Sequence, residues 1–183
     1  MRKSFWLGSV GAALMLAACA TPSAGAPTLA AAPLPGMTAV EATLDEDELA
    51  ADAPDPAAVR RALQDAGFRA ATERTYAGGG GAFPRVVVRL LALGGEQGAT
   101  SFLDWLRTDG GTALFTGVPS ALEVPSGVVV LLHEPDGCCP REAPVYLAAW
   151  QRGTDVVTVK ASGREGTDRA MQDLVETLWE EIS

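Results

Sequence analysis

Residues 145–162 read VYLAAWQR-GT-DVVTVKAS, and this stretch decides the fold. Val145 to Arg152 is an apolar strand, Gly153-Thr154 is a two-residue turn, and Asp155 to Ser162 is the return strand. Upstream, Gly127 to Glu134 is a further apolar strand, joined to the hairpin by a loop over 135–144. Three strands linked this closely must run antiparallel, because a parallel pair needs a long crossover. Downstream, Thr167 caps a helix whose apolar stripe is Met171, Leu174, Val175, Leu178, Trp179 and Ile182.

The pattern continues toward the N-terminus. Asp55-Pro56 combines a capping carboxylate with proline at the first helical position. Val59, Ala62, Leu63 and Ala66 follow at helical spacing, and Gly67 ends the run. Phe68 to Tyr76 and Arg85 to Leu93 read as strands. Ala99, Phe102, Leu103 and Leu106 make a second amphipathic helix that ends by Gly110, and 111–126 reads as irregular. The order is α-β-β-α-β-β-β-α. It predicts an α+β domain of two layers: a mainly antiparallel sheet of about five strands with amphipathic helices packed on one face. The absence of a β-α-β-α alternation argues against a doubly wound nucleotide fold.

The N-terminal third concerns address. Arg2 and Lys3 precede an apolar run from Phe5 to Ala18, too short to span a bilayer stably. Leu16-Ala17-Ala18-Cys19 then matches the bacterial lipobox: small residues admit the backbone to the signal peptidase, and the Cys19 thiol takes the diacylglyceryl group. The expected organisation is a lipoprotein signal peptide over 1–18, a lipidated Cys19 with an Ala/Pro-rich and then acidic tether over 19–53, and a globular domain over 54–183. Each buried methylene of a palmitate-type chain contributes ~0.8 kcal/mol, so two or three chains anchor stably. Residues 41–55 carry Glu41, Asp45, Glu46, Asp47, Glu48, Asp52 and Asp55 with no base, and read as a solvated spacer.

The formal net charge is −9, and loss of Arg2 and Lys3 with the leader makes the mature chain more acidic still. Such a surface repels phosphate backbones and anionic headgroups, so nucleic acid is not an expected partner. The expected membrane contact is the lipid at Cys19.

The densest group of potential ligands is His133-Glu134-Pro135-Asp136-Gly137-Cys138-Cys139. Thiolates with an imidazole suit zinc or copper(I). Adjacent α-carbons, however, lie ~3.8 Å apart, short of the ~4.4–6.8 Å usual for a disulfide, so a vicinal bridge is strained and reducible. Four readings stand for Cys138 and Cys139: a vicinal disulfide forming a stiff turn, free or intermolecularly paired thiols, a metal site with His133, or a redox element. Gly78 to Gly81 lacks the Lys-Ser/Thr of a phosphate loop. His133 is the sole histidine and no Gly-x-Ser-x-Gly elbow is present, so no catalytic residue, cofactor or metal is assigned and the chain is not expected to be an enzyme. Trp105, Trp150 and Trp179 read as core, while Tyr146 and Trp150, on one strand face, mark a groove between sheet and helices.

The lipobox, the Ala/Pro tether, Gly98-Ala99-Thr100-Ser101-Phe102-Leu103 followed by Thr116-Gly117-Val118-Pro119, and the hairpin at Arg152-Gly153-Thr154-Asp155-Val156-Val157 together resemble uncharacterised secreted lipoproteins of high-GC Gram-positive bacteria. Some of these look like PsbP/Mog1-type α+β sandwiches, others like extracellular sensor domains. The resemblance implies a non-enzymatic module, lipid-anchored on the extracytoplasmic face of the cell membrane, that binds a small molecule, a glycan or an envelope protein. The alternative is a metal-binding or redox module using the 133–139 loop.

Overall fold

The computed structural model describes residues 27–29, 34–79, 81–134 and 143–182. The predicted hairpin is present as read: β6 (Val145–Arg152) pairs antiparallel with β7 (Asp155–Ser162), with Arg152 opposite Asp155. Around it, β1 (Met37–Leu44), β2 (Ala70–Gly78), β3 (Arg85–Ala92), β4 (Val118–Pro119) and β5 (Val129–His133) complete one sheet. Its order is β1-β2-β3-β7-β6-β5-β4, and every neighbouring pair is antiparallel.

Among the described residues, seven strands replace the five expected. One addition, β4, has two residues, too few to leave a periodic signal. The other, β1, lies where a tether and an acidic spacer were expected. It is an edge strand exposed along most of its length on both faces, so no apolar alternation marks it; eight residues of ladder with β2 hold it. The acids beyond it are structural. Asp45 caps α1 (Glu46–Ala50): its side chain accepts the Glu48 N–H while the Glu48 carboxylate accepts the Asp45 N–H, both at 2.9 Å. Asp55 caps α2 (Pro56–Asp65) by accepting from Ala58 N–H at 3.0 Å. At the far end of α2, Gly67 takes φ +70°, Gly67 N–H bonds Gln64 O and Phe68 N–H bonds Leu63 O. This is a Schellman stop, as the glycine there predicts.

The second correction concerns the layers. α4 (Asp168–Ile182) covers one face, burying Met171, Val175, Leu178 and Ile182 against Val86, Val88, Val130, Trp150, Val157 and Val159. Leu29 and Leu34, from the stretch read as tether, are buried in the same cluster. On the opposite face α1, α2 and α3 (Glu96–Trp105) bury Leu49, Val59, Leu63, Phe102 and Leu103 against Leu91, Leu131, Leu147 and Val156. The sheet is thus sandwiched in three layers. The central strands carry the reason: Val86-Val87-Val88 and Tyr146 to Trp150 are buried without alternation, the signature of a sheet covered on both sides.

A π-helix (Leu106–Phe115) continues directly from α3. Its wide turns bring Gly110 onto the ring of Trp105, where a β-carbon would sit 2.8 Å from the indole. The segment ends on Thr116 in the left-handed region, φ 60°. Side chains here follow no 3.6-residue period, which is why the stretch from 111 onward reads as irregular.

Candidate functional site

The helices cover only half of their face. Strand register places three rows of side chains on it. Glu73, Arg89, Thr158 and Ala149 form one row, Thr75, Val87, Lys160, Leu147 and Leu131 the next, and Ala77, Arg85, Ser162, Val145 and His133 the outermost. The π-helix passes over Leu131 at the end of the second row, and beside it a cleft of about 480 Å³ opens above Arg85, Val87, Lys160 and Ser162. One wall is Leu44, Glu48 and Asp52, from the end of β1 and from α1 and the turn after it. The other is Leu114 and Phe115 at the end of the π-helix, where a narrower recess of about 60 Å³ runs inward over Leu147. The N–H of Asp55 donates to the carbonyl of Ala113 at 3.0 Å, which ties the two walls together.

The cleft is polar at its mouth and mixed inside, where Leu114, Phe115 and Leu147 lie beside Arg89 and Thr158. Arg89 Nε is held by Glu73 at 2.7 Å. Glu48 is committed to the α1 cap. Arg85 and Lys160 make no ion pair among the described residues. Lys160 is exposed, and its ammonium lies 5.9 Å from the centroid of Phe115. Desolvation, then Arg89 and Arg85 nearby, push its pKa below the ordinary lysine value, against the pull of Asp52 and Glu73. Two cations without an ion pair thus rise from the floor, facing Glu48 and Asp52 on the wall, in a chain that is otherwise strongly acidic. Long π-helical stretches and left-handed non-glycine residues cluster at functional sites; here both shape the cleft wall.

The sequence-singled residues fall in three places. His133 sits at the edge of the cleft, half-buried, with Nδ1 3.3 Å from the carbonyl of Thr116 and its ring edge-on to Phe115 at 6.4 Å. Ser162 is two strands away from it across Val145, about 9.5 Å at the strand spacing, so the two form no nucleophile–base couple. Cys19, Cys138 and Cys139 lie outside the described residues, and no group of three or more metal-ligating side chains occurs among those described. Tyr146 and Trp150 share a strand face as read, but that face lies under α4: they are 3% and 0% exposed and belong to the core. Tyr146 donates from its hydroxyl to Asp168 Oδ1 at 3.0 Å. Trp150 packs on Trp179 at 5.8 Å between ring centroids.

Sequence reading missed Arg85, Arg89, Lys160 and Phe115. A signal existed in part: Arg85, Val87 and Arg89, and Thr158, Lys160 and Ser162, recur with period two in otherwise apolar strands. That marks an open or polar strip on a central strand.

The fold recurs in a solved structure. The extracellular domain of PknH from Mycobacterium tuberculosis superposes with a TM-score of 0.51 at 14% identity, over 80% of this chain and 86% of that one. At this identity the likeness concerns the fold. No known family and no curated protein matches the chain.

Proposed function

We propose that this chain is an extracytoplasmic binding module, anchored to the cell membrane through Cys19, whose half-open sheet face takes a small ligand without turning it over. The observation that carries the reading is the cleft itself. Its floor exposes Arg85 and Lys160 on central strands where helix cover would bury more apolar surface. Its volume lies in the ~300–1,000 Å³ range of ligand sites. Support for the address comes from the lipobox-like leader and from a fold shared with an extracellular domain. No helix among the described residues is long and apolar enough to cross a membrane. The anchor in this reading is the acyl group on Cys19 of the lipobox-like sequence.

Two experiments test it. Radiolabelled palmitate is expected to enter the full chain and not the Cys19→Ala variant; equal labelling removes the anchor. A thermal-shift screen of the Cys19→Ala chain against anionic, neutral and cationic small molecules is expected to find ligands that raise Tm by mass action. Ser162→Trp fills the cleft from its floor and should abolish those shifts while keeping the unliganded Tm; Val145→Trp serves if Ser162→Trp does not fold. Ligands that stabilise wild type and both blocked variants equally would show that binding occurs elsewhere.

A further inference from the structure

We infer that the ligand class is a compact organic anion: one carboxylate or phosphate ester held between Arg85 and Lys160, joined to a small flat apolar body that lies along Val87 and Leu147 against Phe115. The inference deepens the binding reading above and rests on it.

Charge placement selects the sign. Three cations and three acids border the cleft, Arg85, Arg89 and Lys160 against Glu48, Asp52 and Glu73. They are not equivalent. Glu73 is occupied by Arg89 at 2.7 Å, and Glu48 by the N–H of Asp45 at 2.9 Å. The bond from a neutral N–H leaves Glu48 charged, so the charges around the cleft balance overall; what selects the sign is placement, because Arg85 and Lys160 rise together from the floor with no ion pair among the described residues, while Glu48 and Asp52 stand on the wall. The two cations come from neighbouring strands one register step apart, since Val87 pairs with Lys160 and Arg85 with Ser162. Both therefore rise from the same face, one row of side chains apart, a spacing that lets a single anionic group take bonds from both.

Shape selects the body. The inner end of the cleft holds only about 60 Å³; Leu114, Phe115 and Leu147 give it an apolar side, opposite Asp52, Arg89 and Thr158. A ring or a short branched chain reaches it; a long acyl chain does not fit. Phe115 is already approached by the ammonium of Lys160 on its face and by His133 edge-on. The ring thus lies where the headgroup and the body of such a ligand meet. An inorganic anion leaves this apolar side empty.

Isothermal titration of the Cys19→Ala chain separates the terms. Benzoate and phenyl phosphate are expected to bind; benzyl alcohol (the body without the charge), inorganic phosphate (the charge without the body) and dodecanoate (a long body) are expected to bind at least tenfold more weakly. Of the two anions, the tighter one identifies the headgroup. Arg85→Gln and Lys160→Gln should each weaken the better anion about tenfold, the loss of one charge-assisted hydrogen bond, with Tm kept. Added salt should weaken binding in wild type more than in either variant. Benzyl alcohol binding as tightly as benzoate in a manner blocked by Ser162→Trp would overturn the anion inference and leave the binding reading standing. Anion affinity unchanged in Arg85→Gln and Lys160→Gln would also overturn it. If no compound of the wider screen is sensitive to Ser162→Trp and Val145→Trp, both readings fall.

Discussion

Tyr146 and Lys160 illustrate how the same sheet treats polar groups on its two faces. On the α4 face the phenol of Tyr146 is buried and bonded to Asp168. Burial first, and then that bond, push its pKa up to about 12. Because the folded value lies above the unfolded value of about 10, the stabilisation is complete below pH 10 and is lost as pH rises through about 12. Tyr146→Phe should therefore cost about 1.5 kcal/mol near neutral pH, and the gap to wild type should close between pH 10 and 12. Urea titrations at pH 7 and pH 11 check this; a gap independent of pH would mean that neither burial nor Asp168 shifts the phenol's titration on folding. On the cleft face Lys160 is shifted down instead, because partial desolvation and the nearby Arg89 and Arg85 outweigh the pull of Asp52 and Glu73. Trp150 shows a third outcome: its indole N–H is buried with no acceptor among the described residues, so packing against Val157 and Trp179 must outweigh that loss.

Among the elements, α2 and α3 show local signals at work and also overridden. Capping chemistry at Asp55-Pro56, the stop at Gly67 and the cap at Thr167, whose hydroxyl accepts from Ala170 N–H at 3.2 Å, are short-range and were readable. Gly98, in the first turns of α3, is not explained by any local rule. A β-carbon there would collide with the carbonyl oxygen of Ala66 at the end of α2, so the glycine exists to let two helices approach. In an isolated helix Gly98→Ala would stabilise by about 1 kcal/mol. Here the collision with a backbone atom reverses the sign, with a net loss of about 1–3 kcal/mol, read as a lower urea midpoint. A stabilised variant would show that α3 can withdraw from α2 without strain. The π-helix is the element least readable in advance: its geometry depends on Gly110 lying over Trp105 and on Gly111 passing close to Leu131, contacts that no local period encodes.

At the level of the whole molecule the sheet closes only with β1 in place. β1 shields the edge of β2 over eight residues, and α1 behind it buries Leu49 and Ala50. A chain beginning at residue 54, where sequence reading sets the start of the domain, lacks both. It is expected to unfold at lower temperature than one beginning at residue 27, and to self-associate through the bared edge of β2. Light scattering with thermal melts of the two chains tests this; equal melts and equal mass would make β1 dispensable. The shorter chain also loses Leu44, Glu48 and Asp52, one whole wall of the cleft, so it should lose ligand binding even where it folds.

Sequence by itself determined what depends on near neighbours along the chain. The β6–β7 hairpin, the antiparallel pairing of the last strands, the caps of α2 and α4, and the lipobox-like leader are each set by a few consecutive residues. The number of strands, the helices on both faces and the cleft were decided by tertiary structure alone. A strand exposed on both faces, as β1 is, has no apolar period to announce it, because its ladder partner, 27 residues away at Leu44–Ala71 and 41 at Met37–Gly78, supplies the backbone hydrogen bonds. Arg85 and Lys160 are 75 residues apart in the chain and become neighbours only through the register of β3 on β7. Whether such a polar strip is buried or open depends on how far the helices reach across the sheet. That reach is set by the close approach of α3 to α2 and by the widened turns of the π-helix, both properties of packing at a distance.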